Sequence, residues 1–458
     1  MQPDLEPLID PEVIGRDLPF DISPELAYMV LLFSLIVLPR VLVRWKIPTA
    51  ITAVVLGAAI GLPFGFFQGD VTIQLLATLG ISGLFLFAGL EVDVNLLVTR
   101  RRVLLQHVVL RMVVLPLLAW GLVSFSGLAW RPALLVVLAL VTPSAGFILD
   151  SLAGWPLDDD QRAWVRSKTI ATELVSLLVL FFVTQSATLA QFVIGTLGMA
   201  ALIVVLPLMF RAFATWIGPY APKSDFAFLL MLALLAAYGT RKLGAYYLIG
   251  AFVVGMVAQR FRGRLPSITS EQTLYAVEVF ASFFIPFYFF NAGLHLRTEH
   301  FSLEALGIGL ACMLILPFRV GLVSLHRRLA LHEPFGTGAR VGISLVPTLV
   351  FTLVIAELLR DSFAAPPALF GGLVIYALVN TVLPTVLLKA PPPLYDQPGV
   401  ELPVLYDSRP FMQRHAHGAE PPAVTPAGPI ESETPLATSD EAAAPAPAPV
   451  ETGPPADS

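Results

Sequence analysis

The sequence has a single cysteine, Cys312, and few charged residues, which make up 13% of its 458 positions. One cysteine cannot form an intrachain disulfide or a cysteine-ligated metal centre. No histidine pair in the apolar region has metal-ligand spacing, and no nucleophile with a neighbouring base stands out. We therefore expect no cofactor, no enzymatic activity and no nucleic-acid binding.

Apolar residues are what the sequence has in excess. Hydrophobic residues make up 56% of the chain, and the charged fraction is about half of the roughly 25% found in soluble domains. The acidic start of the chain has no basic segment ahead of an apolar run, so we expect no cleaved signal peptide. The composition predicts an all-α polytopic membrane protein.

Apolar windows of about 20 residues, long enough to cross about 30 Å of hydrocarbon, recur along the chain. Thirteen are predicted, near 26–44, 48–66, 73–97, 103–127, 132–153, 167–186, 189–210, 225–240, 243–260, 275–296, 303–325, 340–359 and 367–389. Basic residues concentrate in the loops after odd-numbered windows. The positive-inside rule then places the N-terminus outside and the C-terminus in the cytoplasm, and we expect a bacterial inner-membrane location.

Composition also divides the chain into three parts. An extracytoplasmic segment is predicted over 1–25, a transmembrane domain over 26–390 and a cytoplasmic tail over 391–458. The tail is rich in proline, alanine and acids, which favours disorder because it cannot bury enough apolar surface. It repeats Leu-Tyr-Asp at 394–396 and 405–407. Either this repeat is a coincidence of biased composition, or it binds an unknown cytoplasmic partner.

One carboxylate, Glu173, lies inside an apolar run that is long enough to cross the bilayer. A charge at membrane depth costs at least about 2.5 to 3.5 kcal/mol, so such acids usually face a protein interior or a water-filled pathway. Hydroxyl side chains at Thr172 and Ser176 favour this interpretation. The alternative is that Glu173 lies near the membrane edge and snorkels to water.

Three pairs of similar short segments indicate an internal repeat. Gly89 and Gly293 each follow an alanine and precede a leucine, Pro116 is echoed by Pro317, and Pro143 by Pro347. The shift between partners stays near 201–204 residues across three successive windows. Windows seven apart cross the membrane in opposite directions, so the repeat is predicted to be inverted.

Two of these prolines predict interrupted helices. Pro143 and Pro347 each remove a backbone donor, and the hydroxyls of Thr142, Ser144 and Thr348 can satisfy the freed backbone groups. Inverted repeats with an interrupted helix in each half are typical of secondary transporters with a site near the bilayer midplane. The alternative is that both prolines only kink packed helices.

The order and spacing of five motifs resemble the monovalent cation:proton antiporter-2 family, which includes Kef-type potassium and Nap-type sodium exchangers. The resemblance covers about 26–389 and is carried by Lys46-Ile-Pro48, Phe87-Ala-Gly-Leu-Glu-Val-Asp93, Thr142-Pro-Ser-Ala145, Leu248-Ile-Gly-Ala-Phe-Val-Val-Gly255 and Phe289-Phe-Asn-Ala-Gly-Leu294. It implies a sodium/proton antiporter-like fold and a homodimer. It also implies scaffold helices near 26–97 and 225–296, and a moving core near 103–186 and 303–389.

The same resemblance assigns roles to single residues. The family's ion-binding acid falls on Glu173, preceded by Thr172, and its basic residue on the eleventh helix falls on Arg319, which can pair with that acid. No metal is implied beyond a transient Na⁺ or K⁺ at Glu173. Arg111 and Asp150 lie in the expected core, where structural pairing and ion coordination both stay open.

The sequence thus predicts a secondary transporter that exchanges a monovalent cation, Na⁺ or K⁺, for a proton by alternating access. One carboxylate carrier makes electroneutral exchange the simplest stoichiometry. A proton-coupled transporter of another solute, such as an organic anion held by Arg319 and positive half-helix ends, is the alternative within transport. The second alternative is a transport-inactive receptor or scaffold that acts through its tail.

Overall fold

The computed structural model describes residues 23–45, 47–92, 101–221, 224–244, 246, 248–261, 268 and 270–389. The chain divides into two units, Met1–Gln397 and Pro398–Ser458, and the second lies wholly outside the described residues. The expected tail over 391–458, and the N-terminal segment apart from 23–25, therefore stay predictions.

Secondary structure in the described residues is helical, without strands, which confirms the all-α class. We number the α-helices α1 to α16. They are Pro24–Val43, Thr49–Phe64, Val71–Leu90, Arg101–Ser126, Trp130–Val141, Ala145–Ser151, Asp159–Gln185, Leu189–Ala212, Asp225–Lys242, Leu248–Arg260, Glu271–Leu294, Leu303–Met313, Ile315–Leu331, Phe335–Ser344, Leu349–Phe363 and Pro367–Leu387.

Polar caps start several of these helices and explain where windows and helices differ. The Asp70 carboxylate accepts a 2.8 Å hydrogen bond from the backbone N–H of Ile73 at the start of α3. Asp158 accepts one of the same length from the N–H of Gln161, so α7 begins at Asp159 rather than at the apolar residues near 167. A hydropathy window misses such a polar first turn, although capping carboxylates stabilise it.

Each of the thirteen predicted windows overlaps a helix or a pair of consecutive helices. By length and hydropathy, nine spans of the described residues could cross a membrane, two of which combine consecutive helices, α5 with α6 and α12 with α13. The number is ten if α14 and α15 are one span bent by 54°. The two shorter apolar helices α2 and α10 fall below that length. A count of thirteen spans therefore stays a prediction.

Packing separates most of the described helices into two groups. Helices α1, α2, α3, α9, α10 and α11 pack on one another, and α4, α5, α7 and α12 to α16 pack on one another. Helix α6 contacts both groups, through α7 and α3, and α8 also lies between them. The helices of the first group lie in the ranges predicted for a scaffold, and those of the second lie in the ranges predicted for a core. The division into a scaffold and a moving core stays a prediction.

The echoed glycines Gly89 and Gly293 allow two close helix contacts in the first group. A Cβ atom added at Gly89 would collide with the carbonyl oxygen of Phe252 in α10. One added at Gly293 would collide with the carbonyl oxygen of Val54 in α2. Small residues let helix backbones approach where lipid provides no hydrophobic drive for association.

Candidate functional site

Two interrupted helices meet in the second group. Helix α5 ends at Val141, two residues before Pro143, and α6 begins two residues after it. Helix α14 ends three residues before Pro347, and α15 again begins two residues after its proline. Both predicted interruptions are therefore present, at equivalent places in the repeat.

Ser144 joins the two interruptions directly. Its backbone N–H donates to the carbonyl oxygen of Pro347 at 2.9 Å, and its Oγ accepts from the backbone N–H of Val350 at 3.0 Å. The Thr352 hydroxyl donates to the carbonyl oxygen of Ala139 at 2.9 Å. Backbone groups freed by one break are thus satisfied by residues of the other, as a buried backbone requires.

The halves of the two interrupted helices pair in opposite order. The first half of one, α5, packs on the second half of the other, α15. The remaining halves share a separate apolar cluster that includes Ile148 of α6 and Val341 of α14. Opposite pairing is what two helices of opposite direction produce, which supports the predicted inverted repeat.

Asn380 of α16 satisfies the second break and was missed in the sequence. Its Oδ1 accepts from the backbone N–H of Thr348 at 3.1 Å, and its Nδ2 donates to the Thr348 hydroxyl at 2.8 Å. Asn380 is fully buried. A polar residue in the last apolar window is the sequence feature that could have identified it.

Arg111 of α4 binds the end of α5. Its guanidinium donates to the carbonyl oxygen of Val141 at 3.0 Å and to the Thr142 hydroxyl at 2.8 Å. A longer contact of 3.4 Å reaches the Ser176 hydroxyl of α7. A cation at a helix C-terminus is favourable because unpaired carbonyls leave a partial negative charge there.

Arg319 of α13 does the same for α14. It donates to the carbonyl oxygens of Leu345 at 2.7 Å and Val346 at 2.9 Å, and also reaches that of Leu140 at 3.1 Å. The Tyr376 hydroxyl accepts from Arg319 at 3.1 Å and donates to Leu140 at 2.6 Å. Tyr376 is a further residue that sequence reasoning missed.

These contacts leave the expected pair between Arg319 and Glu173 unformed. No ion pair among the described residues includes either side chain. The guanidinium is already used by backbone carbonyls at the two breaks. A pair between them in another transport state stays a prediction.

Glu173 lies near the middle of α7 and is only 4% exposed. Its carboxylate has no hydrogen bond or ion pair with a described residue. One turn further on, the Ser176 hydroxyl contacts the Thr142 hydroxyl at 2.9 Å, so this face of α7 is directed at the first break. Burial and this direction favour the interior interpretation of Glu173 over snorkelling.

Two hydroxyls flank Glu173 on α7. Thr172 is buried, and its hydroxyl donates to the carbonyl oxygen of Lys168 at 2.7 Å, which leaves its oxygen able to accept. Thr169, one turn before Glu173 on the same face, is fully buried and its hydroxyl has no partner among the described residues. Thr169 was missed in the sequence because its window began only two residues earlier.

A second carboxylate, Glu91 at the end of α3, lies close enough to Glu173 for their charges to interact. Its neighbour Asp93 lies outside the described residues, and nothing is described of the Asp150 side chain. The pair proposed between Arg111 and Asp150 therefore stays a prediction.

A cavity of about 70 Å³ adjoins the first break and Thr172. Arg111, Lys168 and Arg319 are among its lining residues, and Pro143 lies on its wall. The cavity therefore lies between Thr172, the residue before Glu173, and the arginines that bind the ends of α5 and α14.

A family model and two known sequences match most of the chain or a large part of it. The family model described as "Sodium/hydrogen exchanger, transmembrane" matches residues 29–391. The Probable Na(+)/H(+) antiporter 3 of Methanocaldococcus jannaschii is 22% identical over 377 residues, which are 79% of this chain and 95% of that protein. The Na(+)/H(+) antiporter NhaS5 of Synechocystis sp. is 25% identical over 305 residues, 63% of this chain and 42% of the relative.

Solved structures agree on the fold. The sodium proton antiporter MjNhaP1 from Methanocaldococcus jannaschii at pH 8 has a TM-score of 0.57 and 13% identity, and covers 80% of this chain and 95% of its own. A three-dimensional electron-microscopy map of MjNhaP1 gives a TM-score of 0.55 and 13% identity, over 81% and 96%. At that identity the likeness shows the antiporter fold alone, and the narrower antiporter-2 subgroup stays a prediction. Because the family model spans most of the chain, this protein belongs to the sodium/hydrogen exchanger family and is a membrane cation/proton antiporter, not an enzyme.

Proposed function

We propose that the chain exchanges one monovalent cation for one proton, and that Glu173 holds the two in alternation. The observation that carries this proposal is a buried carboxylate, 4% exposed and without an ion pair to a described residue, on the face of α7 directed at the helix breaks. An unpaired buried carboxylate must be neutralised by a proton or a cation. The two therefore compete for one group, which couples their fluxes.

The ligands around Glu173 are oxygen atoms, as Na⁺ and K⁺ require. The hydroxyls of Thr172 and Thr169 flank the carboxylate on α7. Carbonyls freed at interrupted helices are typical additional ligands in transporters. We propose Thr172 and Thr169 as ligands that help to replace the cation's water.

The arginines set the charge balance. Arg111 and Arg319 occupy the carbonyl-rich ends of α5 and α14, where they offset the partial negative charges of the half-helices. One full negative charge, that of Glu173, is then available to the transported ion. This supports electroneutral exchange of one cation for one proton.

Alternating access is supported by the two packing groups. The breaks, Glu173 and both arginines belong to helices of the second group, while glycine contacts hold the first group together. We propose that the second group moves against the first as a rigid core. A homodimer in a bacterial inner membrane, with the C-terminus in the cytoplasm, completes the proposal and is supported by the family resemblance and the basic loops.

The test is dissipation of a pH gradient in proteoliposomes by lithium, sodium or potassium, with wild type beside Glu173→Gln. Both named relatives are Na⁺/H⁺ antiporters, so sodium is the cation expected to act at the lowest concentration. Glutamine keeps the size of the side chain but cannot bind or release a proton, so exchange should fall to the level of empty liposomes. Glu173→Asp should retain part of the activity because it keeps the carboxylate.

The matched control is Glu304→Gln, which neutralises an exposed carboxylate in the first turn of α12. It should exchange at the wild-type rate. Wild-type exchange by folded Glu173→Gln would show that this carboxylate is not the carrier. Dissipation that depends on an organic anion instead of a cation would favour the alternative solute.

A further inference from the structure

Three basic side chains line the cavity beside the first break. Arg111 comes from α4, Lys168 from α7 and Arg319 from α13, and no carboxylate is among the described lining residues. Arg111 lies close enough to both other bases for their positive charges to repel one another. A cavity inside a membrane protein thus collects like charges that its described walls do not neutralise.

The hydrogen bonds of these bases go to uncharged groups. Arg111 and Arg319 donate to backbone carbonyls and hydroxyls at the breaks. Lys168 contacts Nδ1 of His107 at 3.3 Å and lies over the Trp164 ring at 5.2 Å. None of these partners carries a full negative charge, and the helix ends supply only partial negative charges to the two arginines.

Arg111 and Lys168 have N–H donors that no described residue accepts. The Nε–H of Arg111 is buried and has no hydrogen-bond partner among the described residues. The Lys168 ammonium has three N–H donors, and the described residues provide one hydrogen-bond acceptor for it, on His107. Burying the Nε–H donor of Arg111 without a partner is costly, which favours a bound acceptor of negative charge beside it.

We propose that this cavity binds a chloride ion between Nε of Arg111 and Nζ of Lys168, with Arg319 as the third positive charge. Chloride accepts hydrogen bonds from any direction, so it suits donors that converge from different helices. A volume of about 70 Å³ holds a monatomic ion with a few waters. A monovalent ion also loses less hydration energy on entry than sulfate or phosphate.

Bound chloride would act on the transport site as a charge, not as a ligand. The cavity reaches Thr172, the residue before Glu173. Three bases there oppose the approach of a cation, and a bound anion lowers that positive potential. The proposal concerns binding and does not depend on Glu173 being the carrier.

The experiment measures chloride binding to the purified full chain in detergent. Thermal unfolding is followed at constant sodium, ionic strength and pH while gluconate is replaced by chloride, and line broadening in the chloride NMR signal reports binding directly. The unfolding midpoint should rise and saturate with chloride, as for any ligand that binds the native state. Bromide should compete with chloride for the broadening.

Variants of Lys168 test whether chloride binds at this cavity. Lys168→Met should abolish the chloride-dependent rise, and Lys168→Arg should retain it because the positive charge remains. The control Lys242→Met removes a base at the end of α9 that does not line the cavity, and should respond like wild type.

Equal midpoints in chloride and gluconate, without broadening, would overturn the proposal. A full chloride response in Lys168→Met would overturn it as well. If Lys168→Met does not fold, the wild type and Lys168→Arg decide, because both must bind chloride. Binding is measured without transport, so failure of Glu173 as carrier leaves this result unaffected.

Discussion

At the scale of single residues, two arginines perform a task that the sequence had assigned to ion pairing. Each guanidinium reaches several oxygen acceptors at once, carbonyls and hydroxyls, because its donors form a rigid planar fork. A single side chain, that of Arg319, contacts both interrupted helices, through the carbonyl oxygens of Leu345 and Leu140. The breaks are therefore held by positive charge as well as by hydroxyls.

Replacing Arg319 tests this role. Arg319→Ala leaves buried carbonyls without donors, and hydrogen bonds to charged groups are worth about 1.5 to 3 kcal/mol each, so we expect a loss of stability on the order of 2 to 3 kcal/mol. Arg319→Lys should recover only part of it, because an ammonium cannot span the same acceptors. The unfolding midpoint of the purified variants measures the effect.

The pH dependence of exchange by these variants separates the structural role of Arg319 at the breaks from an ion pair with Glu173. Arg241→Ala, at the exposed end of α9, is the control and should leave stability unchanged. A shifted pH profile in Arg319→Ala with wild-type stability would contradict the structural role. It would instead support a pair with Glu173 in another state.

At the scale of helices, the same residue type has different effects in the two halves of the repeat. Pro116 lies inside the continuous helix α4, whereas its echo Pro317 lies in the first turn of α13, just after a break at Leu314. Proline is tolerated in a first turn because those N–H groups have no helical partner. Echoed prolines alone therefore do not show which helix breaks.

Glycine contacts between helices give a sharper prediction. Gly293→Val places a branched side chain against the backbone of α2, and overpacking of this kind usually costs about 1 to 3 kcal/mol. We expect a lower unfolding midpoint and reduced yield of folded protein. Thermal unfolding in detergent measures the midpoint, and size-exclusion chromatography after purification measures the yield.

The matched control is Gly307→Val in α12. Nothing lies within 4 Å of a Cβ atom at that position, so valine has room there. Equal stability of Gly293→Val and Gly307→Val would show that the contact between α2 and α11 tolerates a side chain. The scaffold role of the repeated glycine would then be wrong.

At the scale of the whole molecule, helices from both halves of the repeat surround the point where the two interrupted helices cross. The interrupted helices belong to opposite halves of the repeat. The arginines that bind them come from α4 and α13, and the helix that carries Glu173, α7, packs beside them. The basic loops predict the orientation in the membrane, because loops rich in lysine and arginine usually face the cytoplasm.

Reporter fusions test that orientation. A reporter after Lys389 should be cytoplasmic, and one inserted between Gln68 and Gly69, in the loop between α2 and α3, should be external. Accessibility to a reagent that cannot cross the membrane measures both. The reverse pattern would discard the thirteen-span topology.

Hydropathy and local chemistry allowed much to be predicted without a structure. The helices follow the apolar windows, the breaks follow Pro143 and Pro347, and Glu173 stands out because a charge is rare in an apolar run. These are properties of neighbouring residues. They explain why fold class, family and carrier candidate were visible in the sequence alone.

Partners that are distant in the chain could be decided only by tertiary structure. Arg319 reaches a carbonyl 179 residues away, and Thr352 reaches one 213 residues away. A basic side chain in an apolar window has the same local pattern whether it pairs with an acid or with carbonyls. Which acceptor it meets depends on how the two halves of the repeat cross, and the same crossing brings three bases to one cavity.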